Sequence, residues 1–391
     1  MGAPWEGPAR DLLAELGTIA LIDHHVHGAF RASPSEAAYG NALNEADTDP
    51  LPPGVDPFDS QVGFAIRRWC APVLGLEPHA TPDAYRARRA ELGEAEVNRR
   101  FLTAAGVSDW LVDTGHRADD LLTPAQLATA SGGRAHEVVR LEALAEQLVS
   151  ADTPPQRYAA AFRSLLAERV RGAVAVKSVI AYRAGFDVDL TRPSDAVVAR
   201  HAAAWARDAA RAGSVRLTDP RLIAFGIHEA IELGLPLQLH VGLGDRDMDL
   251  RRSDPLLLTD FLRQPAVRRV PVLLLHCYPF ERQAGYLAQA FRNVYLDVGL
   301  SVNFVGARSA SLVARSLELA PFDKVLYSSD ACGPADLHLL GARLWRRAIA
   351  RVVGGFVAEG DWSAPDASRV VRMVARDNAL RAYPRLSRSS G

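Results

Sequence analysis

Ile19-Ala20-Leu21-Ile22-Asp23-His24-His25-Val26-His27-Gly28 passes from a short apolar run into three histidines and stops at a glycine. An apolar run of this length, ended by polar residues and glycine, reads as a buried strand over 19–23. Seven further runs of the same kind follow, at 110–112, 136–141, 174–176, 235–239, 270–275, 294–298 and 324–327. Most end in a polar residue or a glycine, and helical patterns of charged and apolar residues lie between most of them. That alternation marks βαβ units. The runs 235–239 and 272–275 are almost continuously apolar, as expected of parallel strands covered on both faces. Eight such units predict an α/β fold, a (β/α)8 TIM-type barrel, although a doubly wound sheet uses the same units and the count alone leaves it open.

At 391 residues the chain is of the size expected for one such barrel, 1–391, carrying an insertion. The interval 29–108 is too long for one crossover helix. It begins with Pro50, Pro52, Pro53, Gly54 and Pro57, then turns helical over 61–74 and 85–105, and is read as a helical insertion after the first strand that forms a lid over the barrel mouth. A second long gap, 181–234, holds helical patterns over 195–212 and 219–233. The Ser/Arg/Gly-rich tail beyond Pro384 is expected to fray.

Composition narrows the function classes. Forty-five Lys and Arg against 46 Asp and Glu leave a formal charge of −1, which argues against a nucleic-acid partner because phosphate neutralisation needs a basic face. Cys70, Cys277 and Cys332 are too few and odd in number for a disulfide framework, so a reducing, cytoplasmic setting is expected. Glu6, Arg10, Asp11 and Glu15 interrupt any apolar core of a secretory signal, and no apolar stretch approaches the ~20 residues of a membrane span.

The chemistry is expected where the runs end. Alternation along a strand points His25 and His27 to one side, with His24 on the opposite face as a packing or hydrogen-bonding residue. Lys177, His240, His276 and Asp330 follow the fourth, fifth, sixth and eighth runs. In a barrel those carboxyl ends converge on one face, so residues scattered in sequence meet in space. Four histidines, a lysine and an aspartate gathered there predict a divalent-metal site.

The string Ile22-Asp23-His24-His25-Val26-His27-Gly28, with His240, His276 and Ser329-Asp330, resembles the amidohydrolase superfamily, and the resemblance runs to Asn378-Ala379-Leu380-Arg381-Ala382-Tyr383. Lys177-Ser178-Val179-Ile180-Ala181-Tyr182-Arg183, Gly242-Leu243-Gly244-Asp245-Arg246-Asp247-Met248-Asp249-Leu250 and Tyr278-Pro279-Phe280 are similar to the amidohydrolase-like domain of nodulin/glutamine synthetase and FluG-type fusion proteins. The resemblance implies that His25, His27 and His240 are metal ligands, and that Asp330 binds the metal and acts as general base. His276 is implied to be either a second-metal ligand or the group that polarises the substrate. Neutral imidazoles and a carboxylate suit one or two Zn ions. The resemblance implies that Lys177 is either carboxylated and bridging two ions or, in a one-metal site, holding a substrate carboxylate; a solvated rim lysine is the competing reading.

Tyr182, Arg183, Asp245, Arg246 and Tyr278 surround this centre as candidate contacts for a small-molecule substrate, the arginines because their planar fork binds carboxylates. Arg246 paired with Asp245 or Asp247 as a rim salt bridge is the competing reading. Arg140 and Glu142 flank the third run under the same doubt, and Cys277 is expected to face away. The function implied is hydrolysis of a C–N amide bond, of γ-glutamyl amide-like substrates. A metal-dependent decarboxylase and a silent scaffold are the alternatives. A homo-oligomer is left open.

Overall fold

A computed structural model describes residues 6–45, 49 and 51–388; Pro50, placed in the predicted loop, and the last three residues of the tail lie outside them. Seven parallel strands pair in sequence order: β1 (Leu21–Val26), β2 (Val107–Asp113), β3 (Arg134–Arg140), β4 (Ala175–Ser178), β5 (Leu237–Val241), β6 (Val272–His276) and β7 (Val294–Leu296). The sheet curls, and its arrangement is consistent with a TIM-type barrel. The eighth run forms no regular strand. Its backbone still reaches both edges: Leu326 N donates to Leu296 O on β7 at 2.9 Å, and His24 N on β1 donates to Tyr327 O at 3.3 Å. Pro321 and a 3₁₀ turn at Phe322–Lys324 set its entry, which leaves Val325 in a single bridge to β7.

Two apolar layers hold the sheet. The larger packs the outward faces of the strands against the surrounding helices. The smaller lies inside the curl, where Ile22, Leu111, Val138, Ala175, Leu273, Leu275 and Leu326 meet Ala379, Ala382, Tyr383 and Leu386 from the C-terminal helices. Asn378 anchors that plug by donating to the carbonyls of Phe322 and Val325, both at 2.7 Å. The tail expected to fray is helical over Pro384–Arg388.

This inner layer sets the chemistry, because residues two further along a strand point the same way. Stepping by two from Leu111, Val138, Ala175 and Leu326 gives Asp113, Arg140, Lys177 and Ser328. A polar layer therefore sits on the apolar one, at the carboxyl ends.

Between β1 and β2 lie helices at Glu36–Asn41, Gln61–Trp69, Pro82–Leu92 and Glu94–Ala105, with a 3₁₀ turn at Ala71–Leu74. The single helix expected over 85–105 is two, broken at Gly93 with φ 74°. Asp336, at the start of the long helix Ala335–Glu359, ties these helices down. It accepts from Tyr39 at 3.1 Å, and from Tyr85 and Arg89, while Arg89 also pairs with Glu94 at 3.0 Å. The helix expected at 195–212 is found as Asp195–Ala212, N-capped by Ser194 and closed by Gly213 in the left-handed region. No helix among the described residues is long and apolar enough to cross a membrane.

Candidate metal centre

His25, His27, His276 and Asp330 meet at the carboxyl ends of the strands. Asp330 Oδ1 lies 3.1 Å from His25 Nε2 and 3.6 Å from His27 Nε2, and its Oδ2 lies 3.2 Å from His276 Nε2. Ligand atoms of His25, His276 and Asp330 form one compact triad, and those of His25, His27 and Asp113 form a second that shares His25. The ring of His240 lies tilted, 4.6 Å from that of His276 and 4.5 Å from that of Tyr182 between centroids, but His240 belongs to neither triad.

Backbone irregularities, more than regular strand ends, aim these groups. His276 follows the inward-facing Leu275, so an extended backbone would turn it outward; its φ of 71° swings it back. Asp330 has φ 47°, a left-handed conformation uncommon for a non-glycine residue, held by its N–H donating to His25 O at 3.1 Å. In β1 the register slips between Asp23 and Val26, so strict alternation fails. His24, expected on the face opposite to His25, instead shares its buried network.

That network fixes the tautomers. Gln238 Nε2 donates to His24 O and to the Tyr383 hydroxyl, both at 2.8 Å, which leaves Gln238 Oε1 to accept from His25 Nδ1 at 2.8 Å. The Tyr383 hydroxyl then donates to His24 Nδ1 at 2.9 Å, and His24 Nε2 donates to Asp297 at 3.1 Å. His27 Nδ1 donates to Asp113 O at 3.2 Å, and His240 Nε2 donates to Leu243 O at 2.9 Å. His25 and His27 thus turn unprotonated Nε2 atoms toward Asp330, that of His25 also within reach of Lys177 Nζ at 2.8 Å.

Two acceptors 3.1 Å apart repel unless a proton or a cation lies between them. Burial, foremost, holds the pKa of His25, His27, His240 and His276 well below the usual imidazole range, which disfavours the proton. Both ring nitrogens of the buried His276 and Asp330 Oδ1 lack a hydrogen-bond partner. Orphaned polar atoms of this kind are rare in interiors. The donor set therefore fits a divalent ion.

Lys177 is buried, with Nζ 2.8 Å from His25 Nε2 and 3.5 Å from Asp113 Oδ2. Burial lowers its pKa, against the opposing pull of Asp113 and Asp330. Burial raises Asp330 to about 6. The cavity over the centre holds about 530 Å³, and its walls include Arg140, Tyr182, Arg183, Asp245 and Glu45.

The substrate candidates separate here. Tyr182, Arg183 and Asp245 line the cavity, with Arg183 in an ion pair to Glu146 at 3.1 Å. Arg246 is exposed and pairs with Asp49 at 2.6 Å, not with Asp245 or Asp247. Tyr278 is outside the cavity wall; its carbonyl accepts from Leu243 N at 2.7 Å. Arg140 lines the cavity while bonding Asp113, Glu142 binds Ser178 Oγ and Val179 N, and Cys277 is buried with its Sγ donating to Leu274 O.

Sequence reading passed over Asp113, Gln238, His116, Glu45 and Asp297. For Asp113 a signal existed, because it ends β2 as Asp330 ends the eighth run, and Gln238 is the period-two partner of His240.

Residues 22–385 match the model of the amidohydrolase family. The chain belongs to the amidohydrolase family. Over 303 residues this amidohydrolase is 30% identical to protein fluG of Emericella nidulans, a match covering 68% of the chain and 35% of fluG, so it spans about a third of that relative's length. Its fold is similar to that of a Lactobacillus casei protein provisionally described as a metal-dependent hydrolase, with TM-score 0.82, 26% identity, and 96% and 98% of the two chains covered. It is also similar in fold to a uronate isomerase of Bacillus halodurans, with TM-score 0.65, 13% identity, and 98% and 97% covered.

Proposed function

We propose that this amidohydrolase hydrolyses a C–N amide bond of a small carboxylate-bearing substrate, of the γ-glutamyl amide kind, with one or two divalent ions, Zn by donor type, held by His25, His27, His276 and Asp330. The observation that carries the reading is the buried cluster itself: three neutral imidazoles around one carboxylate, with both nitrogens of His276 unpartnered. His240 and Asp113 would complete the set, and Lys177, if carboxylated, would add a further oxygen donor. When bound, the ion supplies Lewis acidity to a carbonyl and to water.

Asp330, with a pKa raised to about 6, is ionised at neutral pH yet basic enough to accept a proton from water. The water oxygen bonds to the amide carbon, the C–N bond breaks, and the proton passes from Asp330 to the departing nitrogen. Arg183 and Arg140 give the cavity wall positive charge for a substrate carboxylate. Ala38, Asn41, Ala42 and Glu45, all in the segment after β1, line the same cavity, which supports reading that segment as the lid. Arg67, Arg68 and Trp69 take no part in that wall.

The test is metal analysis of protein purified without chelator, together with a screen of γ-glutamyl amides. Stoichiometric metal and hydrolysis that is lost on chelation and restored by Zn are expected. A protein that binds no divalent ion overturns the reading.

A further inference from the structure

A second depression, of about 520 Å³, lies between helix Gln61–Trp69 and helix Ala335–Glu359, walled also by residues 306–310. Its lining contains Arg68, Arg347, Arg351 and His79 and no carboxylate. In a chain of net charge −1 that is a local concentration of positive charge. Two of these guanidinium groups pack on one aromatic ring: Arg68 lies 4.6 Å and Arg347 5.3 Å from the centroid of Trp69.

Stacking engages the face of a guanidinium and leaves its in-plane N–H groups free to donate. Some surface arginines of this molecule are taken up by carboxylates, as Arg282 is by Glu318 and Arg252 by Asp187, whereas here two guanidinium groups gather on one ring. Arg68 and Arg347 have no carboxylate within ion-pair distance among the described residues, although Arg67 and Arg343 add further positive charge close by in the sequence. Phe64, 51% exposed, extends the apolar floor beside Trp69.

We infer that this depression binds a small anion bearing phosphate or carboxylate groups, to whose oxygens Arg68 and Arg347 donate while Trp69 holds both guanidinium groups in place. Its concavity and volume are those of a small-molecule site. It is separate from the metal centre, and nothing in the reading of that centre requires it.

The experiment titrates the full chain with inorganic phosphate, succinate and adenosine monophosphate. It follows the indole N–H resonance of Trp69, assigned with Trp69→Phe, and the heat of binding. Phosphate against succinate separates the two anion chemistries, and the nucleotide reports whether a phosphate ester with a larger body is also taken. Saturable binding of at least one probe is expected, weakened at high salt. It should weaken ~10-fold or more in Arg68→Gln/Arg347→Gln, since charged hydrogen bonds of this kind are each worth about a factor of ten. Circular dichroism checks the fold of that variant, and Arg347→Lys, which keeps the charge and loses the fork, should show a smaller loss. Binding that persists undiminished in the double variant overturns the inference. So does the absence of saturable binding of all three probes.

Discussion

Replacing Gln238 by Met keeps the size of a fully buried side chain and removes all of its polar atoms. Three hydrogen bonds at 2.8 Å disappear, and each loss has a different consequence. His24 O and His25 Nδ1 lose the partner that the structure gives them, while the Tyr383 hydroxyl keeps His24 Nδ1. Leaving buried polar groups unpaired costs about 1–3 kcal/mol each, so for two groups a loss of roughly 2–6 kcal/mol in unfolding free energy is expected. The functional consequence is separate. Gln238 Oε1 can only accept, so it holds the proton of His25 on Nδ1 and keeps Nε2 bare toward Asp330. Without it, the tautomer with Nε2 protonated becomes accessible, and metal affinity should fall by roughly 10–100-fold, as for other partners that orient a ligating histidine. Tyr383→Phe keeps the amide of Gln238 and should fall between the parent and Gln238→Met. Competition with a chromophoric Zn chelator measures the affinity, and denaturant titration of the metal-free protein measures stability. If Gln238→Met binds Zn within two- to three-fold of the parent, the tautomer argument is wrong whatever happens to stability.

Asp330→Asn should retain the fold and lower kcat by about 10²–10⁴-fold, the range for loss of a general base, with circular dichroism and steady-state rates as the check. Asp336→Ala should destabilise the protein by about 2–4 kcal/mol, because it takes the acceptor from the buried Tyr39 and Tyr85 hydroxyls and one of the two carboxylates from Arg89, which keeps Glu94; a change under 1 kcal/mol in chemical denaturation would contradict that account. At Asp109 burial acts to raise the pKa, but hydrogen bonds from His136 and Arg134 outweigh it and hold the carboxyl well below the ordinary aspartate value of 3.8. A folded-state pKa below the unfolded one contributes stability that is present above pH 3.8 and lost as pH falls through the folded value. Asp109→Asn should therefore lower stability by about 1–2 kcal/mol at pH 7. The gap from the parent should narrow in acid titrations below pH 3.8, and a gap that stays constant down to pH 2 would exclude Asp109 as its source.

The apolar runs carried the positions of seven strands because burial on both faces imposes a composition that a single sequence displays. Their ends were displaced, as β1 shows, since His24, His25 and Val26 continue its hydrogen bonding although their side chains are polar or lie beyond the apolar run. The eighth run was legible as apolar but not as irregular. What denies it a ladder is the 3₁₀ turn at Phe322–Lys324 and the turn into Asp330 at φ 47°, and neither Lys324 nor Asp330 announces its backbone conformation.

The site was legible where side-chain type alone marks the chemistry, and hidden where geometry does. A histidine at a strand end stands out in any sequence, whereas Gln238, Asp297 and Tyr383 are ordinary residues whose importance lies in the atoms they face. Tyr383 is 145 residues from Gln238 and 359 from His24, yet one hydroxyl bonds both. His276 was found for an incomplete reason. Regular alternation after Leu275 would have sent its ring to the outer face, and only the left-handed turn at φ 71° returns it to Asp330. The same holds for the lid. The length of 29–108 suggested a lid, but of the aromatic and basic residues that draw the eye Arg68 and Trp69 line a different depression, while the plainer Ala38, Asn41, Ala42 and Glu45 line the cavity over the histidines. Hydrophobic pattern thus locates elements well because it is an average over many residues. A site depends on single torsions and single protons, which no average over residues preserves.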